Sequence, residues 1–478
     1  MALISISFAI SLLTYHLLQK FKVYDRISLW LAFRRLQYFT PPSKDDLKAA
    51  AGIVDVNKHK GGKKHRRQQD FPEFEKVLIP KAVDIDLVKK DLFNDLISAL
   101  HYFTELKWLL NVSVTAVIAY FLTEFYYFVK DLLMGVAANT TRQIETNFSL
   151  LWCIVTAFLC IFLLGQLIVM YYKVEGHGEL FTVVLAGVIG AFLSMGMLVV
   201  NEKTFDFGLK AAHKNFTEDF MKIPQIEEFA RTINFSLFGF GLFIGTLSGI
   251  TTALVAFPGI RFGKLYRDAR DMAVLEQRKS DIGLLGASFG LPTVLCVLWM
   301  PAIREHLWAE NIYISFETAR ILAVLSLVCV RFYTVPLFLQ AHLDMPRKVL
   351  RALRKEPGRI DADDLRLQLG IPLRYTAVTA VQYFAIILLL VMLCFLYLSA
   401  DLESFFPVRG NLYYYNKVAQ FLGQPDDYIS GAVAIHNAVW TLFTGALLKA
   451  IFGYLIWWIL VSHFAFSLFS YYILQERQ

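Results

Sequence analysis

Charge is what this sequence of 478 residues has least of: Asp, Glu, Lys and Arg together make 18%, against roughly 25% in an ordinary soluble domain. That shortage excludes a disordered tail protein and a nucleic-acid module. Cysteine is scarce as well. All five, Cys153, Cys160, Cys296, Cys329 and Cys394, fall inside apolar stretches, which excludes an outer disulfide framework and a Cys-x-x-Cys metal site. Carboxylates are nearly missing from those stretches, with Glu124 the one well inside any of them, which speaks against a proton-coupled pump. Phosphate-binding glycine loops, nucleophile elbows and zinc-helix motifs are absent. So are a transporter-like internal repeat and a recognisable ion filter. His436 beside Asn437 has no second motif that would make it the buried base of a membrane acyltransferase. No catalytic residue, metal ligand or cofactor is therefore expected, and the chain reads as non-enzymatic.

What the chain has instead is apolar length: 56% of its residues are hydrophobic and 15% aromatic. About 20 charge-poor residues cross ~30 Å of hydrocarbon as a helix, at ~1.5 Å per residue. Nine stretches qualify: 2–18, 108–128, 149–170, 180–200, 233–257, 282–302, 318–340, 375–398 and 446–472. They predict an all-α fold, a polytopic membrane helical bundle of about nine transmembrane helices with interfacial amphipathic helices. A further apolar stretch, 428–445, reads as a re-entrant or interfacial helix, with a tenth span as the other reading. The chain accordingly divides into a first anchor (1–18), a cytoplasmic segment (19–107), spans two to five (108–257), an amphipathic helix (258–281), spans six and seven (282–340), a basic loop (341–374), span eight (375–398), an outer loop (399–445) and the last span with its tail (446–478).

The sidedness in that division comes from the formal charge of +7, which becomes informative once it is resolved by loop. No basic residue precedes the first span, whereas Lys20, Lys22 and Arg26 follow it, the pattern of an uncleaved anchor with its amino end outside. With alternating spans, one side then holds 34 Lys and Arg and the other 10. The positive-inside rule makes the richer side, with the carboxyl end, cytoplasmic. The glycan acceptor motifs at Asn139, Asn147 and Asn215 fall in the loops assigned to the outside; glycans are expected on Asn139 or Asn215, Asn147 lying close to the membrane. Whether that membrane is the plasma membrane or an internal one stays open.

Three cytoplasmic segments touch the bilayer or the bundle. Ile27, Trp30, Leu31, Leu36 and Phe39, interleaved with Arg34 and Arg35, predict an amphipathic interfacial helix stopped by Pro41-Pro42. Ser43 with Asp46 three residues on resembles a helix N-cap. Next come Lys58, Lys60, Lys63, Lys64, Arg66 and Arg67, either a solvated linker or a contact for anionic lipid headgroups, at ~1 kcal/mol per cation near the surface. Between spans five and six, Phe262, Leu265, Tyr266, Ala269, Met272 and Ala273 recur at helical spacing with Arg261, Lys264, Arg267 and Arg270 on other faces, predicting a second surface helix. A third is expected over 347–355, broken at Pro357-Gly358 and restarting after Asp361.

Inside the bilayer, Gly241, Gly245 and Gly249 form a doubled Gly-x-x-x-Gly on the fifth span. It is expected to pack closely against the sixth, which carries Gly286 and Gly290. Pro292 and Pro336 are expected to kink their helices. Arg331, near the middle of the seventh span, costs ~2.5 to 3.5 kcal/mol on the insertion scale and needs a protein or water environment. Glu124 suits it by charge but not by depth, and matches Arg320 better; Gln166, Gln382, a tyrosine or exposed carbonyls are the other candidate partners. Arg331 is thus either a polar anchor or an ion or lipid-headgroup site. His463 is a lone intramembrane histidine that reads as a packing residue.

Several stretches resemble one family. They are Ala99-Leu-His-Tyr-Phe103 with Trp108 and Thr123-Glu-Phe-Tyr-Tyr127; Asn147-Phe-Ser-Leu with Trp152-Cys153; Lys173-Val-Glu; the run from Phe205 to Leu209; Phe257-Pro-Gly-Ile-Arg261; Cys329-Val-Arg331 with Leu339-Gln-Ala-His-Leu343; and Trp457-Trp458-Ile459. In this order they are similar to the transmembrane protein 161 family, from about Ser28 to the last span. The resemblance implies a polytopic, glycosylated membrane protein that is no established enzyme. It also implies a link to regulation of cation currents and excitability at the cell surface, and to ciliary signalling. Expected partners are the bilayer, anionic lipids and ion-channel subunits, with no nucleic acid; oligomeric state stays open. The alternative is that the bundle is itself a transporter, channel or lipid scramblase with Arg331 in its pathway.

Overall fold

Long helices dominate the computed structural model, which describes residues 6–24, 30, 33–34, 36–52, 77–92, 100–134, 147–175, 177–199, 204–221, 237–307, 315–400 and 444–476. In chain order the helices are α1 (Ile6–Lys20), α2 (Lys44–Ala50), α3 (Phe103–Met134), α4 (Ser149–Glu175), α5 (His177–Val199), α6 (Leu209–Met221), α7 (Leu237–Leu275) and α8 (Lys279–Val297). There follow α9 (Pro301–Leu307), α10 (Phe316–Leu343), α11 (Met345–Leu353), α12 (Ala362–Arg374), α13 (Thr376–Ala400) and α14 (Gly445–Glu476). Eight helical stretches among the described residues are long and apolar enough to cross a membrane, where the sequence suggests about nine. The difference is α1, whose described part has 15 residues. The basic cluster from Lys58 to Arg67, Asn139, and the 428–445 stretch with His436 lie outside the described residues.

α13 forms the axis of the bundle. It is apolar on every face, and residues 376–397 are buried throughout, as expected of a helix with no polar stripe to turn toward solvent. Around it pack α3, α4, α7, α10 and α14. Where α5, α7 and α14 meet, hydroxyls do the joining: Ser194 Oγ donates to Ser248 Oγ at 2.9 Å and lies 2.7 Å from the Tyr454 hydroxyl. The Trp458 indole donates to Ser248 O and Thr252 Oγ1 at 3.1 and 2.9 Å. In lipid, such hydrogen bonds and close packing hold helices together, since there is little hydrophobic drive between them.

Glycine placement corrects the expected pairing. A Cβ on Gly249 would lie 2.8 Å from Gly187 O and 3.0 Å from Ala191 Cβ, and one on Gly245 would meet Met195. The strip on α7 thus faces α5, while Gly241 only grazes Leu198. Gly286 and Gly290 on α8 have open space where a Cβ would stand. A second strip was missed: a Cβ on Gly259 or Gly263 would run into α14, at 2.7 Å from Phe466 Cβ and 2.2 Å from Ser467 O. These two residues are themselves a Gly-x-x-x-Gly, two and six residues past the expected end of the fifth span at 257.

The surface helix expected over 258–281 is instead the continuation of α7, which runs through Pro258 to Leu275. Its apolar face, expected against either the bilayer or the bundle, packs in the protein: Phe262, Leu265, Ala269 and Ala273 are all in the main core. The residues 37–40, expected at the end of an interfacial helix, are strand β1 (Gln37–Thr40), pairing antiparallel with β3 (Val88–Asp91), Gln37 opposite Asp91. Likewise β2 (Leu78–Pro80) pairs antiparallel with β4 (Arg359–Asp361). The β2–β4 pair ties residues 78–80 to the loop between α11 and α12, beside a small lobe around Leu47, Ile79, Ile85, Leu350, Leu365 and Leu369. Gln340 docks the lobe on the bundle, accepting from Gln37 N at 2.9 Å and donating to Gln37 O at 3.1 Å. Two local expectations hold here. Ser43 and Asp46 form a full capping box on α2, and Asp361 caps α12, its side chain accepting from Asp363 N.

Candidate functional site

Three candidate residues of the sequence reading converge beside α13. Arg331 comes from α10, Gln382 from α13 and His463 from α14, and all three line one small pocket with Arg261, Phe262, Thr379 and Tyr383. Helical spacing explains the meeting: Thr379, Gln382 and Tyr383 fall on one face of α13 at three- and four-residue steps, and Arg261 and Phe262 follow Pro258 on α7. Arg331 is 3% exposed. Its guanidinium carbon lies 4.9 Å from the centre of the Phe262 ring, and His463 packs on the same ring at 5.1 Å. The Tyr383 hydroxyl donates to the Arg331 carbonyl at 2.9 Å, so it holds the α10 backbone and not the charge.

Three buried polar atoms of the residues lining this pocket are unsatisfied. Arg331 Nε, Gln382 Oε1 and His463 Nδ1 are buried with no hydrogen-bond partner among the described residues. No carboxylate is among the residues that line the pocket. A buried cation of this kind is expensive unless paired or hydrated. The pocket encloses about 10 Å3, roughly room for a single water.

Beside it opens a vestibule of about 810 Å3 that shares Arg261, Leu265 and Gln382 with the small pocket. The vestibule lies between the ends of α4, α7, α12 and α14 and has mainly apolar walls, including Phe257, Ile260, Ile371 and Phe469. Arg261 is fixed in it from two sides: Nη1 donates to Thr379 Oγ1 at 3.0 Å, and the guanidinium lies 5.7 Å from the Tyr171 ring centre. Its volume is that of a small-molecule site. Together the two cavities can bind a ligand with an anionic end and an apolar body, and they present a mid-bundle positive charge at its base.

The other candidates are placed elsewhere. Arg320 sits over Trp299 at 4.5 Å and donates to the Tyr397 hydroxyl at 3.3 Å. Glu124 is on α3. Gln166 is on the exposed face of α4 and cannot serve Arg331. Asn215 is exposed on α6. Asn147 is buried, and its Oδ1 accepts from Ser149 N and Ser149 Oγ at 3.1 and 2.6 Å, capping α4; it is corrected from a glycan acceptor to a helix cap. Arg261, Thr379 and Tyr383 were not seen as site residues, because Arg261 reads as one cation of a surface helix when Pro258 is taken as a break.

Fold and site together define a polytopic helical membrane protein with a basic internal cavity. The chain matches the family described as predicted transmembrane protein 161AB over residues 2–476 and belongs to it. No solved structure matches the chain.

Proposed function

We propose that this protein is a non-enzymatic regulator of cation currents and membrane excitability, the role implied by the family resemblance, and that it acts through the cavity at Arg331. The observation that carries this reading is the narrowing from about 810 Å3 to about 10 Å3 at Arg331, where Phe262, Tyr383 and Ile387 stand around the pocket. A vestibule that ends on a buried charge suits a receptor whose occupancy biases the bundle, more than a conduit. In this reading the end bearing Arg261 and Lys264 faces the cytoplasm, the amino end lies outside, and a glycan sits on Asn139 or Asn215.

The second reading, that the bundle is itself a transporter, channel or scramblase, draws on the three unsatisfied polar atoms at mid-depth. Liposomes holding the purified chain separate the two. Regulation predicts no ion or lipid flux from the chain alone, with an altered current when a cation channel that co-purifies with it is added. Flux from the chain alone, lost in Arg331→Leu, would overturn regulation in favour of transport.

A further inference from the structure

The level of the vestibule in the bilayer can be read from its surroundings. Tyr171 and Tyr172 stand near the end of α4, Tyr375 just after α12, and Tyr471 and Tyr472 near the end of α14, with Lys173 and Arg374 beside them. Tyrosines at helix ends flanked by cations mark the headgroup level of a membrane. The vestibule, lined by Tyr171, Tyr375 and Ile473, is at that level, and its depth runs inward to Gln382. Part of its lining is exposed and apolar: Ile371, Phe469 and Ile473 face outward from α12 and α14 at the same end, so the mouth meets acyl chains as well as headgroups.

Its charge is one-sided. Arg261 uses one N–H on Thr379, leaving most of a guanidinium's donors for the cavity. Lys264, one helical turn further along α7, is exposed and has no ion-pair partner among the described residues. The one carboxylate in the lining, Asp268, is already held by Lys348 at 2.7 Å. Two cations with no carboxylate partner among the described residues, a mostly apolar wall and a lateral apolar mouth at headgroup level together describe a receptor for an anionic amphiphile.

We propose that the vestibule binds an anionic phospholipid of the adjoining leaflet, its phosphate held between Arg261 and Lys264 and its acyl chains along Phe257, Ile260 and Phe469. A phosphate between a guanidinium and an ammonium makes charge-assisted hydrogen bonds, shorter and stronger than neutral ones. The headgroup then stands in front of Gln382, between the leaflet and Arg331. The assignment rests on the vestibule alone and holds whether the protein regulates a channel or conducts, so its failure leaves the proposed function untouched.

The test uses the full chain in phosphatidylcholine vesicles carrying a trace of photoreactive phosphatidylserine, with adducts mapped by mass spectrometry. Adducts are expected on α7 and α14 peptides around 257–264 and 469–473. Lys264→Glu, an exposed change that leaves the core alone, should lower them about tenfold, the scale of one lost charge-assisted contact. Lys89→Glu with Lys90→Glu, on exposed β3, should leave them unchanged. Arg261→Gln should act like Lys264→Glu if it elutes and melts as the parent does. Equal labelling by a photoreactive phosphatidylcholine, or full labelling of Lys264→Glu, would overturn the proposal. So would displacement by glycerophosphate at the concentration of the probe, which would make the site one for a soluble phosphate.

Discussion

Arg320 and Arg331 stand on the same helix about three turns apart, are buried to nearly the same extent, at 7% and 3% exposure, and each leaves its Nε without a hydrogen-bond partner, yet the rest of their surroundings differ. Arg320 has the face of Trp299, the hydroxyl of Tyr397 and, one turn earlier on its own helix, the carboxylate of Glu317, which is paired with Lys449. Arg331 has the face of Phe262 and two neighbours, Gln382 and His463, of which Gln382 Oε1 and His463 Nδ1 are unsatisfied, the Gln382 amide nitrogen donating to Tyr171 instead. The difference separates an anchor from a poised charge. A buried cation with oxygen partners fixes helix register. One without them costs stability, and is best explained by what enters the cavity beside it.

The sharpest way to break this comparison is to remove each charge in turn. Arg331→Leu should cut the proposed current regulation at least about tenfold while leaving the purified protein as stable or more stable, because a buried charge without a carboxylate partner is lost. Arg320→Leu should do the reverse, destabilising by about 1 to 2 kcal/mol through the lost cation–π and hydroxyl contacts, with regulation falling only as surface expression falls. Whole-cell currents and thermal unfolding of the two variants check this: a stability loss in both would merge the two sites into one class, and a loss confined to Arg331→Leu would reverse the contrast.

A next step moves the neighbours instead of the charge. Gly263→Ala places a methyl 2.2 Å from Ser467 O and should push α14, with His463, away from Arg331 at a cost of about 1 to 3 kcal/mol. Gly286→Ala, with open space at its Cβ, should stay within about 0.5 kcal/mol. Unfolding midpoints in detergent would show the contrast. Exchange of the aromatic faces removes a cation–π interaction of about 0.5 to 2 kcal/mol at each site. Phe262→Leu and Trp299→Leu also leave cavities, since both rings are buried; the first should alter the proposed regulation and the second only stability.

The smallest effect lies outside both arginine sites, on the peripheral lobe. Hydrogen bonds from the Ser43 side chain and backbone hold the Asp46 carboxyl below its ordinary value. A carboxylate with a depressed pKa adds stability above its unfolded pKa, and that stability is lost as pH falls through the folded one. Acidification below about pH 4 should therefore fray α2, and Ser43→Ala should fray it at neutral pH. Hydrogen exchange over 44–50 should report both, with no change at 331 or 382.

What the sequence made legible was local or one-dimensional. Apolar length located the spans, the Ser43–Asp46 spacing located a cap, and the break at Pro357-Gly358 located the start of α12. The glycine strip on α7 was also legible, but not its partner, because a small-residue face says that a helix comes close without saying which one. Pro258 misled for a related reason: a proline ends an isolated helix more readily than one whose next turns, at Phe262 and Leu265, are packed in a core. The strands needed partners far along the chain, Leu78 with Asp361 and Gln37 with Asp91, and short polar runs such as 88–91 carry no alternation to announce them. Arg331, Gln382 and His463 were each visible as intramembrane oddities. Their meeting, and the part played by Arg261, is a product of tertiary packing around α13.

If the vestibule leads to Arg331, water from the basic end reaches Gln382, one of the three residues that line both the vestibule and the Arg331 pocket. A charged methanethiosulfonate reagent that does not cross membranes, applied to either face of sealed vesicles carrying Gln382→Cys, tests it against the parent chain, whose five cysteines lie in the membrane helices. Rapid modification from the face bearing Arg261 and Lys264, and none from the other, is the predicted result. Modification from the opposite face, or a thiol as inert as those of the parent, would contradict it.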